Sequence, residues 1–333
     1  MNMMSLILAL VSFIITVFSG KYIIKKLKVL NFGQTIYEEG PSWHKSKNGT
    51  PTMGGIMFIL GILVSVCFLV IYYYSKYGTF AGNDLVPIIA GLLTALGFSL
   101  IGFIDDYIKV VKKRNLGLTA IQKLIFQFLV AAVFLFTLSY TGFIDSSEIL
   151  IPFIGEVNLG FLYYPLALLS IVFIVNAVNL TDGLDGLASS VTSVCGVGYL
   201  IIALLIEKTL TASVSAALLG GVLGFLVYNR YPAKVFMGDT GSMFLGGMVV
   251  VLAFTMRYPG LIFLMGGLYI LEALSVCLQV FWFKTFKKRI FLMSPIHHHY
   301  EKKGYSENKI VKLFSAVELI FVLVAIIGTV III

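Results

Sequence analysis

A chain of 333 residues that is 59% hydrophobic and 12% charged is excluded from the ordinary soluble domains, in which roughly a quarter of residues are charged. Its three cysteines, Cys67, Cys195 and Cys277, each lie inside an apolar run, which argues against a disulfide framework and against a reactive thiol. The net charge of +8 would suit a nucleic acid or a membrane, and the placement of that charge along the chain decides between them.

Apolar runs of about 20 residues, enough to cross a ~30 Å hydrocarbon core as helix, recur down the chain. They predict an all-α polytopic membrane protein, residues 1–333 forming one domain. About ten transmembrane helices are expected, at 4–24, 54–74, 85–104, 124–141, 161–178, 187–206, 211–228, 242–256, 260–282 and 313–332. No basic segment precedes the first run, Met4–Gly20, whereas Lys21, Lys25, Lys26 and Lys28 follow it. That is the pattern of a retained helix with its N-terminus outside, not of a cleaved signal. Between the fourth and fifth helices, residues 143–160 alternate weakly around Ile154-Gly155 and predict a small outer β-hairpin. Between the last two, residues 283–304 mix Lys and Arg with Phe, Ile and Met, which predicts a cytoplasmic interfacial helix followed by a turn at Pro295.

Basic residues orient this bundle. The first connection carries six, the third five, the seventh two and the ninth eight, or 21 of the 24, and the even connections keep only Lys76, Lys208 and Arg257. Odd connections are therefore expected in the cytoplasm and both termini outside. The net charge is mostly this orientation signal, together with attraction for anionic lipid or an anionic substrate, and no nucleic-acid partner is implied.

The polar residues that break the apolar pattern gather on that same face. Asp105-Asp106 is expected to close the third helix. Two adjacent carboxylates at a helix C-terminus oppose the macrodipole, so a structural role is hard to assign, whereas metal binding or proton handling suits them. In NAVNLTDGLDGLA one aspartate would make a good N-cap, but Asn176, Asn179, Thr181, Asp182 and Asp185 crowd into ten residues, and capping needs one of them. Asn229 and the run Phe236–Ser242 place Asp239 on the same face, with glycines that suit a phosphate or metal loop. Gly49–Gly55, GTPTMGG, either caps the second helix or holds an anion at its N-terminus beside Lys47. His297-His298-His299 holds three of the four histidines. Consecutive residues rarely present a common face to zinc, so hydrogen bonding to a polar or phosphorylated ligand is the better reading. Glu272 and Glu318 fall inside predicted helices, where a carboxylate is either functional or snorkels to a cation.

GFIDDYIKV, NAVNLTDGLDGLA, NRYPAKVFMGDTGS and SPIHHHYE, in this order over this many helices, resemble the polyprenyl-phosphate N-acetylhexosamine-1-phosphate transferases. GTPTMGG and the unbroken PIHHHYE resemble the branch that uses a UDP-N-acetylmuramoyl-pentapeptide donor. The resemblance covers about residues 37–301, and Met243-Phe244 after GDTGS is bulkier than the family pattern. It implies an enzyme of the bacterial cytoplasmic membrane, active on the cytoplasmic face. The implied reaction takes UDP-N-acetylmuramoyl-pentapeptide and undecaprenyl phosphate to lipid I and UMP, with Mg²⁺. Carried onto this chain, Asp239 is the metal ligand, and Asp105, Asp106, Asp239 and His298 are catalytic. Lys47, Thr52, Asn179, Asp182, Asp185 and Phe236 hold the uridine nucleotide, and Asn229 and His297–His299 face its diphosphate or sugar. Lys109, Lys113 and Lys123 serve the phosphates or the lipid head. A homodimer is left open.

The lipid phosphate is already anionic, so repulsion from the diphosphate is the obstacle, and Mg²⁺ and lysines lower it. Direct attack is favoured over a covalent aspartyl-phosphate, with Asp105 or Asp106 taking a residual proton or orienting the lipid phosphate. The competing readings are a sister enzyme using UDP-N-acetylglucosamine, which the histidines argue against, and a cation-coupled transporter. A transporter would place its carboxylates near the midplane of two related halves.

Overall fold

The computed structural model describes residues 3–30, 47, 49–78, 85–111, 117–144 and 147–332. Ten helices among them are long and apolar enough to cross a membrane. They are α1 (Met3–Val29), α2 (Gly55–Tyr77), α3 (Leu85–Val111), α4 (Ala120–Tyr140), α5 (Tyr163–Thr181), α6 (Leu187–Leu205), α7 (Thr209–Asn229), α8 (Gly238–Thr255), α10 (Gly267–Phe286) and α12 (Glu307–Ile332). Two short helices, α9 (Ile262–Met265) and α11 (Ile296–Lys302), complete the set. The expected hairpin forms from β1 (Glu148–Ile151) and β2 (Gly155–Asn158), paired antiparallel with Leu150 opposite Glu156.

Helix α8 is the axis of the bundle. Its apolar residues run all the way round, the mark of a helix with no solvent face, and 89% of its span is buried, against 28% for α1, α4 and α12. Its first turn lies against α3 and α2 at backbone distance. A Cβ on Gly102 would collide with the Asp239 carbonyl, and one on Gly55 with the Gly241 Cα. Small residues at such crossings let backbones meet where lipid gives no hydrophobic drive. The hairpin sits at the other end of α8, where Arg257 stacks over Phe143, about 24 Å from Asp239 at 1.5 Å per residue.

Three boundaries differ from expectation. Helix α3 does not stop at residue 104 but runs to Val111, so Asp105-Asp106 lies inside it; both carboxylates have partners that remove the repulsion expected to end the helix. Helix α8 begins at Gly238, not 242, which puts Asp239 in its first turn, where the dipole favours an anion. The ninth span is broken at Gly266, and α10 restarts from Gly267. Buried Glu318 of α12 accepts from the Leu268 N–H at 3.0 Å, so this intramembrane carboxylate caps a helix restart.

The interfacial segment also departs from expectation. Its helix follows Pro295 instead of preceding it, so His297–His299 are helical. Residues 287–295 fold back along α10 without regular structure because Gln279 holds them: its Oε1 accepts from Ile290 N and Phe291 N, each at 3.0 Å, and its Nε2 donates to Phe291 O at 2.9 Å.

Candidate active site

The first turn of α8 is capped by a side chain from another helix. Met237, its N-cap residue, offers no side-chain cap. Instead Asp106 of α3 accepts from Asp239 N at 3.2 Å with Oδ1, and from Thr240 N at 2.9 Å and Thr240 Oγ1 at 2.7 Å with Oδ2. Gly238 before it has φ 71°. A Cβ there would meet Asp106 Oδ2 and lie 2.9 Å from Oγ1 of the buried Thr52, so glycine is required on conformational and steric grounds. Zipping of the two glycine loops brings Thr52 here: Phe236 N donates to Pro51 O, Gly54 N to Phe236 O and Gly55 N to Met237 O, at 2.8–3.0 Å.

Asp105 and Asp239 face each other across two lysines. Lys109 Nζ lies 2.6 Å from Asp105 Oδ2 and 3.1 Å from Asp239 Oδ2, and Lys123 Nζ lies 3.0 and 2.7 Å from the same atoms. Leu118 N donates to Asp105 Oδ1 at 2.7 Å. Asn179 of α5 donates to Asp239 Oδ1 at 3.0 Å and Ser242 Oγ at 2.7 Å. Oxygens of Asp105, Asp106 and Asp239 all lie within 4.8 Å of one another. Four helices thus deliver one acid–lysine centre, and an all-oxygen set of this size could hold a metal ion.

Beside it stands a second polar group. Lys47 bridges Asp185 Oδ1 at 2.7 Å and Glu307 Oε2 at 2.8 Å. Asp185 also accepts from Ala233 N at 2.8 Å, and its own N–H donates to Glu307 Oε2 at 3.0 Å. Burial lowers the Lys47 pKa, but hydrogen bonds to Asp185 and Glu307 outweigh it, and the net shift is upward. Asp182 has the opposite situation. Its half-buried carboxylate makes no hydrogen bond to the described residues, and burial, then the charges of Asp239, Asp106 and Asp185, push its pKa well above the usual carboxylate range.

The three histidines have three different partners. His297 is fully buried, with Nδ1 3.1 Å from Oε2 of the fully buried Glu272. His298 Nδ1 lies 2.6 Å from Glu301 Oε2. His299 Nδ1 accepts from Leu292 N at 3.1 Å.

Most of the residues singled out from sequence meet here. Asp105, Asp106, Asp239, Lys109, Lys123 and Asn179 form the acid–lysine centre, and Lys47, Asp185 and Asp182 flank it. His297 is held against Gly183, since a Cβ there would collide with its Nε2. Asn229 is used internally: Ser189 Oγ donates to its Oδ1 and its Nδ2 donates to Val235 O. Lys113 lies outside the described residues. Thr240, Gln279, Glu301 and Glu307 were not picked out from sequence. Glu301 was legible as an i, i+3 partner of His298, whereas no local signal marks Glu307, 122 residues from Asp185.

Ten membrane-length helices among the described residues, around a partly buried acid–lysine centre, define a polytopic membrane protein that handles charged groups. The model of glycosyl transferase family 4 matches residues 88–257, and signature 1 of the phospho-N-acetylmuramoyl-pentapeptide-transferases matches residues 47–59. The chain is 47% identical over 322 residues to the phospho-N-acetylmuramoyl-pentapeptide-transferase of Halalkalibacterium halodurans, covering 96% of each chain. With that of Bacillus subtilis it shares 44% over 319 residues, 95% of each chain. It belongs to the phospho-N-acetylmuramoyl-pentapeptide-transferase family, and the reading as a UDP-N-acetylglucosamine enzyme is not favoured.

Proposed function

We propose that this chain transfers phospho-N-acetylmuramoyl-pentapeptide from its UDP-linked donor to undecaprenyl phosphate, giving lipid I and UMP, with Mg²⁺ as cofactor. The reaction is assigned to the cytoplasmic face of a bacterial inner membrane, to which the basic-residue asymmetry points. The observation that carries the reading is the pair Asp105–Asp239 sharing Lys109 and Lys123 at 2.6–3.1 Å.

Asp239 and Asp105 would hold the ion. Their facing oxygens are hard donors, which suit Mg²⁺, and the two ammonium groups already gathered between them mark a place built for positive charge. Asp106 is spent on the α8 cap, so we assign it to positioning Asp239. Bound Mg²⁺ supplies neutralisation of the diphosphate, which lowers its repulsion toward a second phosphate. Lys109 and Lys123 add to that neutralisation and orient the lipid phosphate. Lys47, Asp182, Asp185, Thr52, Phe236 and Asn179 form the nucleotide side, and His297 and His298 face the diphosphate or sugar.

A lipid phosphate oxygen bonds to the sugar-linked phosphorus as the bond to the UMP oxygen breaks. One-step attack is favoured because Asp106 is occupied by three hydrogen bonds, and Asp105 Oδ2, buried without a hydrogen bond to the described residues, is held by ion pairs to both lysines that lower its nucleophilicity. The test is UMP release with undecaprenyl phosphate and Mg²⁺, comparing wild type with Asp239→Asn. Equal rates would refute the metal assignment, and rapid exchange of labelled UMP into donor without lipid would refute the one-step mechanism.

A further inference from the structure

The buried stripe of α10 includes Leu268, Glu272, Ser275 and Gln279, one face of a 3.6-residue helix. Two of these residues hold the segment that carries the histidines. Gln279 pins residues 290–291 and Glu272, two turns earlier, meets His297. The returning segment is therefore fastened at two points spaced seven residues apart on α10 and six or seven apart along itself.

At the second point both side chains are 0% exposed. Among the described residues, His297 Nε2 has no hydrogen-bond partner, nor has Glu272 Oε1. Nε2 lies against Gly183, where any Cβ would strike it, next to Asp182 of the nucleotide side. Proton counting defines what this nitrogen can do. A pair with net charge −1, an ionised Glu272 beside a neutral His297, would leave a buried charge with one unpartnered oxygen, and such desolvation is costly. The net-neutral pair has two forms, imidazolium with carboxylate or neutral imidazole with carboxylic acid. In both, the shared proton lies between Nδ1 and Oε2, and Nε2 carries a hydrogen. An N–H without an acceptor among the described residues, buried beside the candidate site, suits an oxygen of a bound ligand.

We propose that Glu272 is a positioning residue for the transfer reaction. It holds His297 so that Nε2–H, passing Gly183, donates to an anionic oxygen of the nucleoside-diphosphate donor. This deepens the proposed function and rests on it.

The experiment uses the full chain in detergent and measures KM separately for the UDP-linked donor and for undecaprenyl phosphate. Glu272→Leu is expected to raise the donor KM about ten- to a hundred-fold, the range of a hydrogen bond to a charged group, and to leave the lipid KM unchanged. Glu272→Gln, whose amide donates to Nδ1 and so keeps the hydrogen on Nε2, is expected to stay within about threefold of wild type. His297→Leu combined with Glu272→Leu is expected to be no worse than either alone. An unchanged donor KM in Glu272→Leu, a Gln variant as impaired as the Leu variant, or effects that multiply in the double variant would each overturn the proposal. The ¹⁵N resonance of His297 Nε2 in ligand-free protein tests the pair without turnover: a protonated nitrogen is expected, and a bare one would refute the assignment. Absence of UMP release from wild type would instead sink the functional reading while leaving the nitrogen measurement to decide the dyad.

Discussion

The two sides of the candidate site are built differently. On the α3–α8 side the charges answer one another: Asp105 and Asp239 share two lysines, and Asp106 is consumed by the start of α8. On the proposed nucleotide side polar atoms are left over, since among the described residues neither the Asp182 carboxylate nor His297 Nε2 has a hydrogen-bond partner. The acid–lysine cluster is held mainly by ion pairs among its own side chains, Asp105 Oδ2 lying 2.6 and 3.0 Å from the two lysines without a hydrogen bond to the described residues, and that suits the proposed phosphate and metal roles. A side with unpaired groups is completed by its ligand, so its affinity draws on bonds that folding leaves unmade.

Removing a charge from the acid–lysine side gives the largest effect. Asp239→Asn takes away the anion that both lysines share and the proposed metal ligand; a loss of several kcal/mol of transition-state stabilisation corresponds to about a thousandfold drop in kcat. The UMP-release rate at saturating donor and lipid checks this, and a drop confined to KM would move the metal elsewhere. Lys123→Met follows, with kcat/KM for the lipid falling about ten- to a hundred-fold. If the two sides are as distinct as their bonding suggests, the donor KM rises less than the lipid KM in that variant.

The same division explains what was legible beforehand. Hydropathy and basic-residue placement disclose ten spans and the hairpin because each depends on composition over about 20 residues or on local alternation. The site residues are legible as types, since Asp105, Asp106, Asp182, Asp185 and Asp239 are costly in an apolar chain. Their roles are not. Whether Asp106 caps α8 or reacts depends on a helix 133 residues further on, and the end of α3 was misplaced because its carboxylates find partners from α4 and α8. The segment before Pro295 reads as an amphipathic helix, but one glutamine of α10 takes its backbone groups instead.

On the proposed nucleotide side, Asp182→Asn is expected to separate stability from function. A carboxyl whose folded pKa is raised binds more protons folded than unfolded, so its contribution to stability falls as pH rises above the unfolded value of about 3.9. Asparagine carries no such penalty. The variant should melt slightly higher than wild type in the absence of ligand while its donor KM rises about tenfold, the lower end for a lost charged hydrogen bond. A lower Tm would show that Asp182 has a structural partner.

The smallest expected effect concerns His299, whose Nδ1 helps to hold the returning segment. Its Nδ1 accepts from Leu292 N, which requires that nitrogen to be unprotonated. Burial and then the charge of Lys303 lower its pKa from 6.5. The unfolded segment therefore takes up its proton first as pH falls. Stability from this contact is complete above the unfolded value of about 6.5 and is lost as pH falls through the lowered folded value. Hydrogen exchange of the Leu292 amide should accelerate, beyond the intrinsic pH trend, between neutral and mildly acidic pH, and His299→Gln should abolish that step. The Ile290 and Phe291 amides, which donate to Gln279, have no titrating partner and should show no such step. A joint response of all three amides would mean that the segment opens as one unit, so that His299 and Gln279 control the same motion and the histidine side is no less cooperative than the acid–lysine side.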